Sequence, residues 1–253
     1  YTPPSGYLAL CTKNLPEPAV IPSEHFNTLL YTGDDSTDND ITGVGFTPDF
    51  YWLKRRNGVA QHYLFDSLRL YDNGSNKQLF SSITGAEAAD NSGSSNARAN
   101  SITDGFKLVS TDTDLNASAG TYVAWNWKAN GSGSSNTDGS INTTKTSANV
   151  DAGFSIITYT GNAVEGATVG HGLSKAVEMI LLKTRGTGGW MVYHSGNTAN
   201  PATQELNLEV TEATQTSSNI WNDTAPTADV FSLGNNGAVN ANGGTYLAYC
   251  FHS

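Results

Sequence analysis

The chain is short of charge. Of its 253 residues only 14% are Asp, Glu, Lys or Arg, where an average soluble domain carries about 25%. Basic residues are the scarcer kind: 13 Lys and Arg face 23 Asp and Glu, a formal net charge of −10. That balance excludes a nucleic-acid binder, which needs a cationic surplus to displace counterions from phosphates. No basic region hides inside the average, because residues 20–130 and 131–253 each sum to −5. No apolar run approaches the ~20 residues of a membrane-spanning helix, so no insertion into a membrane is expected. Two cysteines, Cys11 and Cys250, make no disulfide framework in a chain this long, and both read as free thiols. Tyr1 opens the chain without Met or a charged-then-apolar leader, so the chain reads as a piece with no visible targeting signal.

Helical periodicity is also scarce. The best stretch, Thr84–Asp90, is too short for a stable amphipathic helix. What is present is an internal repeat. Phe26–Gly33 (FNTLLYTG) answers Phe154–Gly161 (FSIITYTG), and Asp49–Arg56 (DFYWLKRR) answers Glu178–Arg185 (EMILLKTR). His62–Ser67 answers Trp190–Ser195, and Leu115–Trp125 (LNASAGTYVAW) answers Val239–Tyr249 (VNANGGTYLAY). The blocks keep their order and define a unit of about 100 residues, an ordinary domain size. Each is a short run of β-branched and aromatic residues bounded by Gly, Asn, Asp or Ser, the pattern of strands and turns. In the last block Val123, Trp125 and Trp127 share one face and Tyr122 and Ala124 the other, which predicts a central strand covered on both sides. The fold class expected is all-β: two tandem antiparallel β-sandwich domains, of jelly-roll or lectin-like type, from an internal duplication. The organisation expected is an extended arm or the tail of a preceding domain over 1–22, a first sandwich over 23–129, a flexible Gly/Ser/Asn linker over 130–138 and a second sandwich over 139–253. Gly139–Ser147 alternates enough to be the opening strand of the second copy.

Candidate sites are few. Asp34, Asp38 and Asp40 sit in an acidic loop that resembles a calcium loop. The helix–loop–helix calcium template fails, however, because Asn39 stands where Gly is required and Gly45 where a bidentate Glu belongs. A solvated turn is the expected state. Asp112 and Asp114 read as turn-capping carboxylates, since the matching Asn235–Asn240 lacks both acids. The five histidines, His25, His62, His171, His194 and His252, show no metal-ligand spacing, and no nucleophile elbow holds a serine. No cofactor, metal centre or catalytic residue is therefore expected, and the chain reads as a non-enzyme. Lys54/Arg56 and Lys183/Arg185 recur at one place in each repeat. Arg56 and Arg185 could bind a carboxylated ligand bidentately, although surface charges that pair with nearby acids explain them more simply. Four of the five tryptophans lie in strand blocks and are expected in the core; Trp221, outside them, is the expected exposed ligand contact.

Two groups of residues carry a resemblance. Phe154–Gly161, Val169-Gly170-His171-Gly172-Leu173, Trp190–Ser195, Trp221–Thr227 and Thr245–Phe251, with Gly45–Phe50 and Phe65-Asp66-Ser67 in the first copy, resemble an uncharacterised repeat domain of tailed-bacteriophage structural proteins, many from marine phages. Tyr1–Cys11 is similar to the segment that closes a SPRY-type β-sandwich in such proteins. The chain departs from the pattern at Val177, where Pro is commoner, and at His252-Ser253, where the family runs on into further repeats. The resemblance implies a virion component on the outside of a phage particle: a tail fibre, tail tip or capsid appendage. Its implied partners are other virion proteins and host-surface glycans, and it permits a homotrimer. Glycan recognition is the leading expectation, a purely structural decoration or spacer domain the alternative, and a polysaccharide depolymerase the least expected.

Overall fold

Strand formation follows the blocks. Val, Ile, Thr and aromatic side chains pack well on a pleated surface, and the Gly- and Asn-rich joints between them supply turns. A computed structural model describes residues 4, 5, 20–70, 74, 76–87 and 99–253. Cys11 and most of the expected arm lie outside the described residues, as do positions 88–90 of the helical stretch.

The first half contributes β1 (Phe26–Thr32), β2 (Asn39–Thr42), β3 (Phe50–Arg55), β4 (His62–Asp66), β5 (Leu79–Phe80), β6 (Ala99–Ile102), β7 (Gly105–Leu108), a one-turn helix α1 (Thr113–Asn116) and β8 (Thr121–Trp127). The second contributes β9 (Lys145–Asn149), β10 (Phe154–Thr160), β11 (Ala167–Gly170), β12 (Met179–Thr184), β13 (Trp190–His194), β14 (Gln204–Asn207), β15 (Gln215–Thr216), α2 (Ser218–Trp221), β16 (Val230–Leu233), α3 (Gly237–Asn240) and β17 (Thr245–Phe251). The chain is all-β, its strand ladders antiparallel and its helices single turns.

One large sheet runs β1-β8-β3-β4-β5 and the other β15-β14-β13-β12-β17-β10-β9. The order β1-β8-β3-β4 thus matches β10-β17-β12-β13, with Leu30↔Val123↔Lys54↔His62 in one and Thr158↔Leu247↔Lys183↔Trp190 in the other at the same places. Each large sheet packs one face on a small sheet. Tyr51, Leu53, Tyr63 and Phe65 meet Ile41, Phe106 and Leu108 of β2-β7-β6, and Ile180, Leu182, Tyr246 and Ala248 meet Val169, Phe231 and Leu233 of β11-β16.

The other faces of the two large sheets pack on each other. Phe50, Leu64 and Leu79 share a buried cluster with Phe154, Ile156, Leu181, Trp190 and Tyr249. Phe50 stacks on Tyr249 at 4.2 Å between centroids and on Trp127 at 4.9 Å. The halves are therefore joined by a core, and burial of this much apolar surface outweighs any freedom in the connection. The expected flexible linker at 130–138 is a correction: Ser134 bridges Thr146 of β9, Ser135 Oγ donates to the Thr143 carbonyl at 2.7 Å, and Thr143 Oγ1 accepts from Asn136 N–H at 2.7 Å. The opening strand expected over 139–147 begins only at Lys145. β17 is central and covered on both faces as expected, but on β8 the face of Val123, Trp125 and Trp127 is only half covered.

Candidate functional site

The packing between the two large sheets leaves part of the first one's face half covered, and the gap falls there. Trp52 of β3, His62 of β4 and Trp125 and Trp127 of β8 line an open, mainly apolar groove of about 340 Å³. The register explains the grouping: Trp52 lies opposite Trp125 and Phe50 opposite Trp127, so the rings occupy neighbouring rows of one face. Trp52 and Trp125 meet edge to face, 6.2 Å between centroids and 77° between planes, a favoured aromatic geometry. A second concavity continues past Trp52 and His62 to Ser81, Ser82, Leu208, Glu209, Val210 and Thr211, so one wall of the groove belongs to the second half of the chain.

The polar groups are anchored. Trp52 Nε1 donates to His62 Nδ1 at 2.9 Å, which places the proton of the neutral imidazole on Nε2. Burial, aided by the charge of Lys54, pushes the His62 pKa down, so the ring stays an acceptor for the indole. Lys54 Nζ donates to the Ala60 carbonyl at 2.9 Å, and Ser82 Oγ donates to Gln61 Oε1 at 2.5 Å. Glu209 accepts from the Trp190 amide at 3.0 Å. The groove thus has an aromatic floor with a few oriented hydrogen-bonding groups at its rim, the concave and mainly apolar kind of surface at which small molecules commonly bind.

The sequence-derived candidates lie elsewhere. Trp221 is a correction: it is 1% exposed, packed edge to face on Tyr193 at 5.8 Å. Ile220 beside it also faces the core, and Asn222 ends the turn in the left-handed conformation. Arg185 is committed to Glu87 through two hydrogen bonds of 2.8 and 2.6 Å, whereas Arg56 lies exposed with its amide on the Thr121 carbonyl. The two arginines share a repeat position but do not form one site. Asp38 and Asp40 pair with Lys107, and Asp34 accepts from Ser36 and Asn116. The hydrogen bond from the Ser36 amide leads the lowering of the Asp34 pKa. Oxygens already engaged by a cation and by donors leave little for Ca²⁺, and no cluster of three or more His, Cys, Asp or Glu among the described residues is arranged to hold a metal.

Asp112 caps α1 by accepting from Asp114 N–H at 2.8 Å, and Asn236 caps α3 by accepting from Ala238 N–H at 2.8 Å. Of the histidines, His171 is buried, with Nδ1 accepting from Leu173 N–H and Nε2 against the Thr227 carbonyl. His25 contacts Asn149. His194 Nδ1 accepts from Gly196 N–H, and His252 Nδ1 lies by the Ser253 carbonyl. Cys250 is a free, fully buried thiol whose pKa burial pushes up.

Sequence reasoning missed the groove because it treated strand tryptophans as core. A signal was available: at the counterparts of Trp52 and Trp125 the second repeat has Leu181 and Tyr249, so these two positions carry indoles in the first copy only. Comparison with known proteins finds no match among curated proteins or solved structures. One family's sequence profile does match, over residues 21–253. That span takes in both large sheets and every residue of the groove, and the chain accordingly belongs to the family described as a domain of unknown function, DUF7483.

Proposed function

We propose that the chain is a non-enzymatic recognition module of a bacteriophage virion, a tail-fibre, tail-tip or capsid-appendage component, whose Trp52–Trp125–Trp127 groove binds host-surface glycans. The observation that carries this reading is the partly exposed indole cluster, held in place by the Trp52–His62 hydrogen bond. Flat indole faces bury the apolar C–H face of a hexose, while rim hydroxyls, a carboxylate and bridging water serve its hydroxyl groups. Among the described residues no arginine lines the groove, which favours a neutral hexose over a sialylated one.

The architecture supports the same reading as two sandwich units derived by duplication. Tyr122 Oη donates to the Thr113 carbonyl and accepts from Ala117 N–H, and Tyr246 Oη does the same with Gly237 and Ala241. Tyr31 stacks on Tyr122 at 4.9 Å and Tyr159 on Tyr246 at 5.1 Å. Gly33 and Gly161 each sit where a Cβ would fall within 2.4 or 2.5 Å of a backbone carbonyl, that of Ala117 or Ala241. The virion context comes from the sequence resemblance, and immunogold labelling of the phage particle with antibody to this chain tests it.

Glycan-array screening followed by tryptophan-fluorescence titration tests the binding. Trp125→Ala is expected to weaken binding at least tenfold, about 1.4 kcal/mol, with the fold intact. Equal affinity in Trp125→Ala and Trp52→Ala, or no binding to any glycan at high protein concentration, would sink this function.

A further inference from the structure

The two large sheets differ at one edge. In the second half β10 is flanked by β9, five residues deep from Phe154↔Asn149 to Thr158↔Lys145. In the first half β1, the strand at the matching position, has β8 on one side and no strand on the other among the described residues. Its hydrogen-bonding parity is fixed, since Lys128 N–H donates to the His25 carbonyl and Gly33 N–H to the Gly120 carbonyl. Odd-numbered residues therefore face β8, and the amides and carbonyls of Phe26, Thr28, Leu30 and Thr32 point outward. Among the described residues the Thr28 amide has the side chain of Asn27 as its acceptor, at 2.8 Å.

Such an edge is a template for another strand, and proteins ordinarily blunt it. The other sheet edges among the described residues are blunted. β5 and β15 are two residues long, β9 is bridged by Ser134, β6 by Asn76 and β11 by Ile141. β2 carries Asp40 paired to Lys107, and α2 packs on β16. β1 is seven residues, Phe-Asn-Thr-Leu-Leu-Tyr-Thr, with no charge and no proline. Its outward face shows Leu30 at 64% and Phe26 at 40% exposure. Among the described residues the chain entering β1 is a 3-10 turn, Pro22–Glu24, and supplies no strand of the kind that β9 gives β10.

We propose that the outer edge of β1 pairs antiparallel with the same edge of a second copy of this chain, about a two-fold axis at Thr28, joining two five-stranded sheets into one. The strand is self-complementary in that register. Thr28 meets Thr28 of the second copy, and each Phe26 meets a Leu30, so the two most exposed apolar side chains of β1 cover each other across the junction. Neighbouring Trp125 and Val123 lie opposite Thr28 and Leu30 on β8, which puts both copies' open faces on one side of the joined sheet. Self-pairing is independent of glycan binding, because it uses the backbone edge and not the indoles.

Sedimentation equilibrium and light scattering on the full chain test it. Wild type is expected at twice the monomer mass. Thr28→Pro removes only the outward donor and spares the ladder to β8, and Leu30→Lys places a charge on the junction. Both variants should run as folded monomers. In a Cys11→Ser background Thr28→Cys should give a disulfide-linked dimer on oxidation, because directly opposed residues lie at about 5.5 Å between Cα atoms. Thr32→Cys, far from the axis, should give none. A monomer at every concentration, a trimer, or a dimer untouched by both Thr28→Pro and Leu30→Lys would overturn the proposal. A monomer with Phe26 and Leu30 amides protected from hydrogen exchange would overturn it too, by assigning the edge to the chain's own first nineteen residues.

Discussion

Leu30, Val123, Lys54 and His62 form a row on the first large sheet, and Thr158, Leu247, Lys183 and Trp190 occupy the same row on the second. In the first the row is open: Leu30 is exposed and His62 lines a groove. In the second Leu247, Lys183 and Trp190 are fully buried. The difference lies in the path of the chain after the fourth strand. From β5 the chain of the first half reaches across: Phe80 accepts from Trp190 Nε1 at 2.8 Å, Thr84 accepts from Gly188 N–H, and Glu87 N–H donates to the Arg185 carbonyl. The corresponding segment of the second half, Leu208–Thr211, approaches Trp52 and His62 but leaves the groove between them. One strand order thus yields a core on one sheet and an open aromatic groove on the other.

The comparison breaks most visibly at its fourth position. Trp190→Ala is expected to cost ~3–5 kcal/mol, the usual loss for a buried indole, because the side chain fills the inter-sheet core and satisfies the Phe80 carbonyl. His62→Ala at the open counterpart should cost under ~1 kcal/mol, typical of a partly exposed site. Urea unfolding of both variants measures the contrast, and equal losses would mean that the first row is covered after all. Next in size is the clamp between the halves. Glu87 binds Arg185 twice and lies 3.6 Å from both Arg69 and Lys77. Arg69 is fully buried with Asp66, whose carboxylate also accepts from Tyr249 Oη at 2.7 Å. Despite its own partial burial, Glu87 is held below its usual pKa by the hydrogen bonds from Arg185 and the charge of Arg69. Glu87→Gln should cost ~2–4 kcal/mol, the penalty of leaving a buried cation short of a partner. A loss below half of that, read from the same urea curves, would show that Asp66 alone neutralises Arg69.

The strands and their matching were legible because β-propensity, turn residues and repetition all spoke at once. All four repeat blocks fall at matching register positions in the two sheets. The caps at Asp112 and Asn236 were legible for a similar reason, as local side-chain-to-backbone chemistry. What was not legible is what covers each face. Period-two patterning marks Val123, Trp125 and Trp127 as one face whether another sheet lies on it or water does. Trp221 misled in the opposite way. It sits among Asn, Asp and Ser in a turn-like stretch, yet the single turn of α2 delivers its ring to the core. Arg56 and Arg185 are likewise indistinguishable in sequence, and only Glu87, 98 residues from Arg185, tells them apart.

Lysine provides a milder test of the same contrast. Lys183 Nζ donates to the Thr184 and Gly186 carbonyls, and burial pushes its pKa down to about 8. Lys54 at the open counterpart is half-buried and donates to Ala60. Above the ordinary lysine value neither folded nor unfolded chain is charged at position 183 and no penalty exists. As pH falls from about 10.4, the unfolded chain takes up the proton first, so stability declines until the folded form also protonates near 8. Relative to Lys183→Met, the wild type should therefore gain ~1–2 kcal/mol between pH 7.5 and 9.5. A flat difference would place water at Lys183.

The smallest effect concerns the groove itself. With its folded pKa pushed below the ordinary value of about 6.5, His62 is favoured neutral. Its contribution is complete above that value and is lost as pH falls through it towards the lower folded pKa. Protonating Nδ1 removes the acceptor of the Trp52 indole, so the ring it holds against Trp125 is released before the fold is lost. Tryptophan fluorescence followed from pH 7.5 to 4.5 should show a step below 6.5 that His62→Gln abolishes, while Trp190, buried in the second row, contributes none. Loss of glycan affinity should track that step. If affinity instead holds while the step occurs, the ligand rests on Trp125 and Trp127 alone, and the Trp52–His62 pair serves the wall of the groove rather than its floor.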